Sequence, residues 1–328
     1  MTFVSVDEVK FWSGSALVRR SGEVIEEVSV GSAAGAGSQP CSPQVRFQAG
    51  SISKQVMSVV VLALAQRHQL NLDTPIGHWL VDLPASLRLT RLRQLLSHTS
   101  GLGHWGDIPG LPALLETPPS RDDLVTMITD APLVSAPGAY WRYSGPGFLF
   151  VGLIIEAVTG RTYGDVAFEL VFRRAGMHAT TSGQFPVGNS DVAVGHHGGR
   201  SIPVDEGFSW IPGTGDLWTT TTDLLRYSYA LRHGELIEPP TASQVWTSHV
   251  ELDPPHPAGR PTTAYAYGYG TFLGQINGHD GWYVPGDNPG YQSLLAYLPD
   301  LDVELAILGN EEAPGITAVL HELKLGQD

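Results

Sequence analysis

The chain has 328 residues, 42% of them hydrophobic and 16% charged, and a net charge of −14. This is the composition of a globular chain, long enough for one large domain or two intimate ones, and it excludes a disordered chain. The negative charge argues against nucleic acid or an anionic membrane surface as partner. A single cysteine, Cys41, allows no intrachain disulfide and reads as a minor thiol. No charge-free run of 18 apolar residues occurs, so no membrane span is expected. Met1 to Lys10 carries acids and no long apolar stretch, which does not read as a signal peptide; the expected location is cytoplasmic.

In chain order, residues 15–20 and 23–30 read as strands joined by a hairpin at Ser21-Gly22. A Gly/Ala/Ser loop fills 31–40. Gly50 then permits a tight turn into a helix predicted from Ser51 to about His68. Pro75 and Pro84 break residues 70–92 into loops with short helical turns, and a short helix follows from Leu92 to Ser97. Past a Pro/Gly-rich stretch at 104–120, helices are predicted over Arg121 to Thr129, over Pro146 to Val158 with Gly160 as stop, and over Thr162 to Arg174 with Gly176 as stop. Residues 177–215 read as mostly loop, and 250–263 as another loop. Thr222 or Asp223 is expected to cap a helix running to about His233. Strand alternation returns at 264–276, 291–298 and 302–308, and the end is helical from about Ile316. Strands at both ends with helices between them predict an α+β fold: an antiparallel sheet built from both termini, flanked by helices, with a mostly helical insertion. The expected division is 1–68 with 235–328 for the sheet, and 69–234 for the helical part. There is no repeat of 20–50 residues.

Chemistry concentrates at Lys54, one of only three lysines. It follows Ser51 by three residues at the start of a strongly apolar run, Val56 to Ala65. A helix apolar on most faces is buried, and an ammonium buried there costs several kcal/mol unless it is paired or loses its proton. Positions i and i+3 share a helix face. A desolvated lysine that sits neutral near pH 7 can take the proton of a serine hydroxyl, which is how a serine is activated. Two further segments stand out. Tyr143-Ser144-Gly145 precedes a helix, and its phenol is a candidate to share a proton with Lys54. Gly278-His279-Asp280-Gly281 lies in the C-terminal strand region, where Gly281 would let a substrate backbone lie close and His279 would bind a substrate carboxylate or support proton transfer.

Taken in this order, the three segments resemble the serine β-lactamase and penicillin-binding-protein superfamily, among whose motifs is Ser-x-x-Lys. The nearer likeness is to the class C β-lactamase-like branch, which also holds esterases and D-amino-acid peptidases. The resemblance covers nearly the whole chain: FQAGSISK (Phe47 to Lys54), LTRLRQLLSHTSGL (Leu89 to Leu102), YSGPGFLFVGLIIEAVTG (Tyr143 to Gly160), Gly215 to Leu231, and NPGYQSLLAYLPD (Asn288 to Asp300). It implies Ser51 as nucleophile, Lys54 and Tyr143 as the acid–base pair, and an oxyanion hole from the backbone N–H groups of Ser51 and Trp282, with His279 and Gly281 at the substrate. Two departures bear on substrate. Gly145 stands where the family usually has Asn, so the amide that grips a substrate amide is missing and weight moves towards esters. His279 stands where many members carry Lys. An insertion is expected within Trp282 to Asn288.

Rival chemistries are weaker. No Gly-x-Ser-x-Gly or His-Glu-x-x-His occurs, and His196 and His197 are adjacent and point apart, so no catalytic metal is expected. Trp105, Trp141, Trp210, Trp218 and Trp282 sit in or near loops able to surround the site, although tryptophan is more often core than platform. Asp216 and Asp223 read as turn and cap residues. The expectation is a serine hydrolase acting through an acyl-enzyme on a small ester or amide, esterase-like, without a cofactor. The alternatives are a D-amino-acid peptidase, a β-lactamase or an acyltransferase of the same fold, or a sensor that acylates once and stalls. The oligomeric state is open.

Overall fold

A computed structural model describes residues 12–35, 37–111, 119–182, 191–202, 211–256, 262–312, 315–323 and 325. In chain order the strands are β1 (Gly14–Arg20), β2 (Glu23–Val30), β3 (Phe47–Gln48), β4 (His196–His197), β5 (Arg200–Ser201), β6 (Trp218–Thr219), β7 (Val250–His256), β8 (Thr262–Tyr267), β9 (Phe272–Ile276), β10 (His279–Asn288), β11 (Tyr291–Leu298) and β12 (Val303–Gly309). The helices are α1 (Ile52–Gln66), α2 (Ala85–Arg88), α3 (Leu92–Leu96), α4 (Arg121–Asp130), α5 (Gly145–Thr159), α6 (Tyr163–Ala167), α7 (Arg173–Ala175), α8 (Thr221–Arg232), α9 (Pro239–Ala242) and α10 (Ile316–Glu322).

Eight strands form one antiparallel sheet in the order β2-β1-β12-β11-β10-β9-β8-β7, so both ends of the chain build it. The central strands β11 and β12 are buried on both faces. Leu295, Ala306 and Leu308 face the core that holds α1 and α5, while Leu294, Ala296, Leu305 and Ile307 face the core that holds α10. This is the expected α+β arrangement. α8 lies within 69–234 yet packs on the sheet: Arg19 of β1 donates to the Leu225 carbonyl (2.7 Å), and Arg232 pairs with Glu304 of β12 (2.9 Å).

Local signals placed most helices. α5 is capped by Ser144, whose Oγ accepts from Gly147 N–H (3.0 Å), carries Pro146 in its first turn and ends at Gly160 with φ +67°. The predicted helix from Thr162 is continuous through a π-helical turn at Phe168–Phe172 and stops at Gly176 (φ +68°). The cap of α8 is Thr220, not Thr222 or Asp223; its Oγ1 accepts from Asp223 N–H (3.0 Å).

The C-terminal strands differ more from expectation. The single strand predicted over 264–276 is two, β8 and β9, because the chain turns at Gly268 and Gly270. A Cβ on Gly270 (φ +71°) would lie 2.9 Å from the α1 backbone at Gln55, so this turn presses directly on the start of α1. Residues 250–256 form strand β7 rather than loop. β10 (His279–Asn288) is a strand not predicted among 264–276, 291–298 and 302–308, and it includes Pro285. It pairs with β9 only over His279–Tyr283, so Pro285 sits where no β9 partner needs its missing N–H.

Candidate active site

Ser51 is the N-cap residue of α1, and 13 of the helix's 15 residues are buried. Gly50, with φ +52°, makes the turn before it. A Cβ there would lie 2.9 Å from the backbone N of Asp287, so only glycine lets β10 come this close. The turn is tied at both ends: Ser53 Oγ donates to the Gly50 carbonyl (2.7 Å) and accepts from Leu217 N–H (3.1 Å).

Lys54 is 2% exposed. Its Nζ lies 3.0 Å from Ser51 Oγ and donates a short hydrogen bond to the Thr214 carbonyl. Burial drives its pKa down to about 7, against the opposing pull of the Asp216 carboxylate. Asp216 is fully buried and held at a fixed angle by Gly213 N–H and Ser182 Oγ, each at 2.6 Å. A large share of Lys54 is therefore neutral at neutral pH.

Tyr143 completes the group. Its hydroxyl is hydrogen-bonded to Ser51, and Lys54 Nζ lies 5.2 Å from its ring centroid. Burial raises the phenol's pKa, so it holds its proton at neutral pH. Two histidines fix the segment. His98, itself in the left-handed region (φ +57°), accepts Arg142 N–H on its carbonyl (2.9 Å) and Ser144 N–H on its Nδ1 (3.2 Å). Its ring packs 4.3 Å from that of Tyr143. Nδ1 of His104 accepts Gly145 N–H (3.1 Å). Burial and the neighbouring Lys54 hold His104 down to about 4, and burial holds His98 well below the ordinary histidine range. Both rings are neutral acceptors rather than proton shuttles.

These side chains open on a cavity of about 460 Å³ lined by Ser51, His104, Tyr143, His256, Phe272, Pro285, Gly286 and Asp287. The structure thus brings Ser51, Lys54 and Tyr143 together. It does not bring His279, Gly281 or Trp282 to them. His279 pairs with Ile276, and Gly281 with Gly274. Trp282 lies in the ladder between Leu273 and Tyr297 and stacks on Trp246 at 6.1 Å. At roughly 3.3 Å per residue, the strand runs about 10–17 Å from Trp282 to Pro285–Asp287, where it passes Ser51. The reason is topological: β10 is enclosed by β9 and β11 until Tyr283, and its edge opens towards α1 only beyond that point.

The place of the missing Asn is also occupied. A Cβ on Gly145 would lie 2.3 Å from Nε1 of Trp105, so the indole fills the space a side chain would take. Gly145→Asn is expected to destabilise the fold by about 1–3 kcal/mol through overpacking, read as a lowered thermal midpoint. Pairing it with Trp105→Ala should recover most of that loss. Of the other tryptophans, Trp141 packs 5.3 Å from His256 at the cavity rim, Trp218 is buried against Tyr291, and Trp210 lies outside the described residues. Among the described residues no group of His, Cys, Asp and Glu is arranged to hold a metal ion, and no helix is long and apolar enough to cross a membrane. Cys41 is buried away from the cavity.

Sequence reasoning passed over Thr214, Asp287, Phe272 and His256. It used His98 only as part of a likeness, and His104 and Trp105 only as loop residues. Their signal was position beside Tyr143 or Ser51 in space, which spacing along the chain does not carry.

The profile of the Beta-lactamase family matches residues 6–325. The chain is 30% identical to Esterase EstB of Burkholderia gladioli over 203 residues, 58% of this chain and 51% of that protein, so the match spans about half of the esterase. Its fold is similar to that of a penicillin binding protein from Bacillus halodurans (TM-score 0.82, 24% identity, 96% of each chain). It is also similar to D-amino acid amidase from Ochrobactrum anthropi SV3 (TM-score 0.80, 22% identity, 99% of this chain and 97% of that one). At these identities the two structures speak for the fold alone. With a profile match over nearly its whole length, this chain belongs to the Beta-lactamase family and is a serine hydrolase of that fold.

Proposed function

We propose that this hydrolase is esterase-like and works through an acyl-enzyme on Ser51. The observation that carries the reading is the buried Lys54 amine, 3.0 Å from Ser51 Oγ and titrating at about 7. Neutral Lys54 takes the hydroxyl proton as Ser51 Oγ bonds to the substrate carbonyl carbon. The oxyanion rests on two backbone N–H groups: that of Ser51, left unpaired at the start of α1, and that of Asp287, which replaces Trp282 in this role. As the C–O bond to the leaving alcohol breaks, Tyr143 gives it a proton and recovers one from Lys54. Water then attacks the ester on Ser51 by the same route in reverse. The preference for esters over amides and β-lactams rests on Gly145 and the Trp105 indole beside it, which leave no side-chain amide at that position.

Intact-protein mass spectrometry with a fluorophosphonate, a β-lactam and a p-nitrophenyl ester tests this. The expected result is a fluorophosphonate adduct mapped to Ser51, steady ester turnover and little β-lactam hydrolysis. A lasting β-lactam adduct without turnover would support a sensor instead. Faster transfer to an added amine or alcohol than to water would support an acyltransferase. An adduct elsewhere, or none, would overturn Ser51 as nucleophile.

A further inference from the structure

The charge balance of the cavity is unusual for a site that faces carbonyl substrates. Asp287 follows Gly286 on the strand edge beside Ser51 and is exposed. Its carboxylate has no hydrogen bond or ion pair to the described residues, and the charged group nearest in effect is another acid, Glu312. Glu312 is already engaged by Gly290 N–H (2.6 Å) and by His197. The cavity is also lined by aromatic rings: His256 stacks on Phe272 (5.8 Å), and Phe272 stacks on Tyr143 (6.4 Å). Among the described lining residues none is an arginine or lysine. Arg142, the nearby candidate, is bound to Asp107 at 2.7 Å. Lys54 lies beneath the serine and is committed to it and to the Thr214 carbonyl.

Among the described residues, a carboxylate on the substrate would therefore meet Asp287 with no cation in the lining to offset it. An ammonium would meet the Asp287 carboxylate and aromatic rings within one cavity, both favourable. We infer that Asp287 is a specificity residue that selects esters or amides carrying a cationic group near the scissile carbonyl and turns away those carrying an anionic one. This rests on the proposed hydrolytic reading of the same cavity and adds a substrate class to it.

The test uses three matched p-nitrophenyl esters whose acyl chains end in trimethylammonium, tert-butyl or sulfonate. Wild-type protein is expected to favour the ammonium ester over the tert-butyl ester by about tenfold in kcat/KM, and to disfavour the sulfonate by a similar factor. Asp287→Asn should bring both ratios towards one, and Asp287→Lys should reverse their order. Ratios are taken within each protein, so a common loss of activity cancels. Equal ratios in wild type and Asp287→Asn, or a wild-type preference for sulfonate, would overturn the inference. Calorimetric binding of phenyltrimethylammonium reads the same selectivity without turnover: weaker binding to Asp287→Asn supports it, and unchanged or undetectable binding to both proteins opposes it. Failure of every ester with binding intact would count against the hydrolytic reading and leave the selectivity standing.

Discussion

Lys54→Met should lower kcat for ester hydrolysis by about 10³- to 10⁴-fold and at the same time raise the stability of the fold. The loss follows from removing the proposed base, whose Nζ lies 3.0 Å from Ser51 Oγ, and general-base contributions are typically of this size. Wild-type kcat/KM should rise with pH through about 7, where burial has placed the amine, and that limb should be absent from the residual activity of the variant. The gain in stability follows from the same burial. The folded-state pKa lies below the ordinary 10.5, so below pH 7 both states carry the proton and the folded state bears the whole desolvation cost. As pH rises from about 7 towards 10.5, the folded state is already neutral while the unfolded chain still holds its proton, and the cost fades. Methionine has similar length and no charge, so the stabilisation should be about 1–4 kcal/mol, largest below pH 7 and shrinking above it. Denaturant melts at pH 6 and pH 9 measure this. A variant destabilised at both pH values would mean that the Thr214 and Ser51 hydrogen bonds outweigh the burial cost.

Gly50→Ala should cost about 1–3 kcal/mol in stability and roughly 10²-fold in kcat, although residue 50 has no side chain to lose. Alanine at φ +52° is strained by about 1–2 kcal/mol. Its Cβ would also press on Asp287 N at 2.9 Å, and backbone yields less readily than a flexible side chain. The strand must move away from Ser51, carrying with it the N–H assigned to the oxyanion, and displacements of about 1 Å at a reacting centre cost on the order of 10²-fold. The informative readout is the split between steps. Fluorophosphonate labelling and ester turnover should both slow, while the Lys54 limb near pH 7 stays in place. Full activity in Gly50→Ala would remove Asp287 N–H from the mechanism.

The chain's local order was legible wherever a short-range rule governs it. The β1–β2 hairpin at Ser21-Gly22, the stops at Gly160 and Gly176 and the apolar run of α1 all follow from neighbours a few residues apart. Ser51 and Lys54 belong to this class, because one helical turn brings i and i+3 together whatever the rest of the molecule does. Even the burial of Lys54 could be anticipated, since an all-apolar helix leaves it no polar face.

Tyr143 was a candidate whose distance from Ser51 local spacing does not set, and the third segment, His279 to Trp282, lies outside the cavity lining. Both are cases where the sheet, not the local chain, sets the distance. Whether residue 279 or residue 287 of a continuous strand passes the nucleophile depends on where β9 ends and on how closely Gly50 lets the strand approach. Neither is written in the spacing of residues 278–291. The same holds for Trp105, which fills the space at Gly145 from 40 positions away, and for Asp287, which among the described lining residues meets no arginine or lysine. By itself the sequence determined the α+β class and the pairing of Ser51 with Lys54 that the proposed mechanism uses, both of which rest on periodicity and local sterics. Only the tertiary structure placed Asp287 rather than Trp282 beside Ser51 and set the lining of the cavity, because both depend on strand register and on side chains that meet only when the sheet has formed.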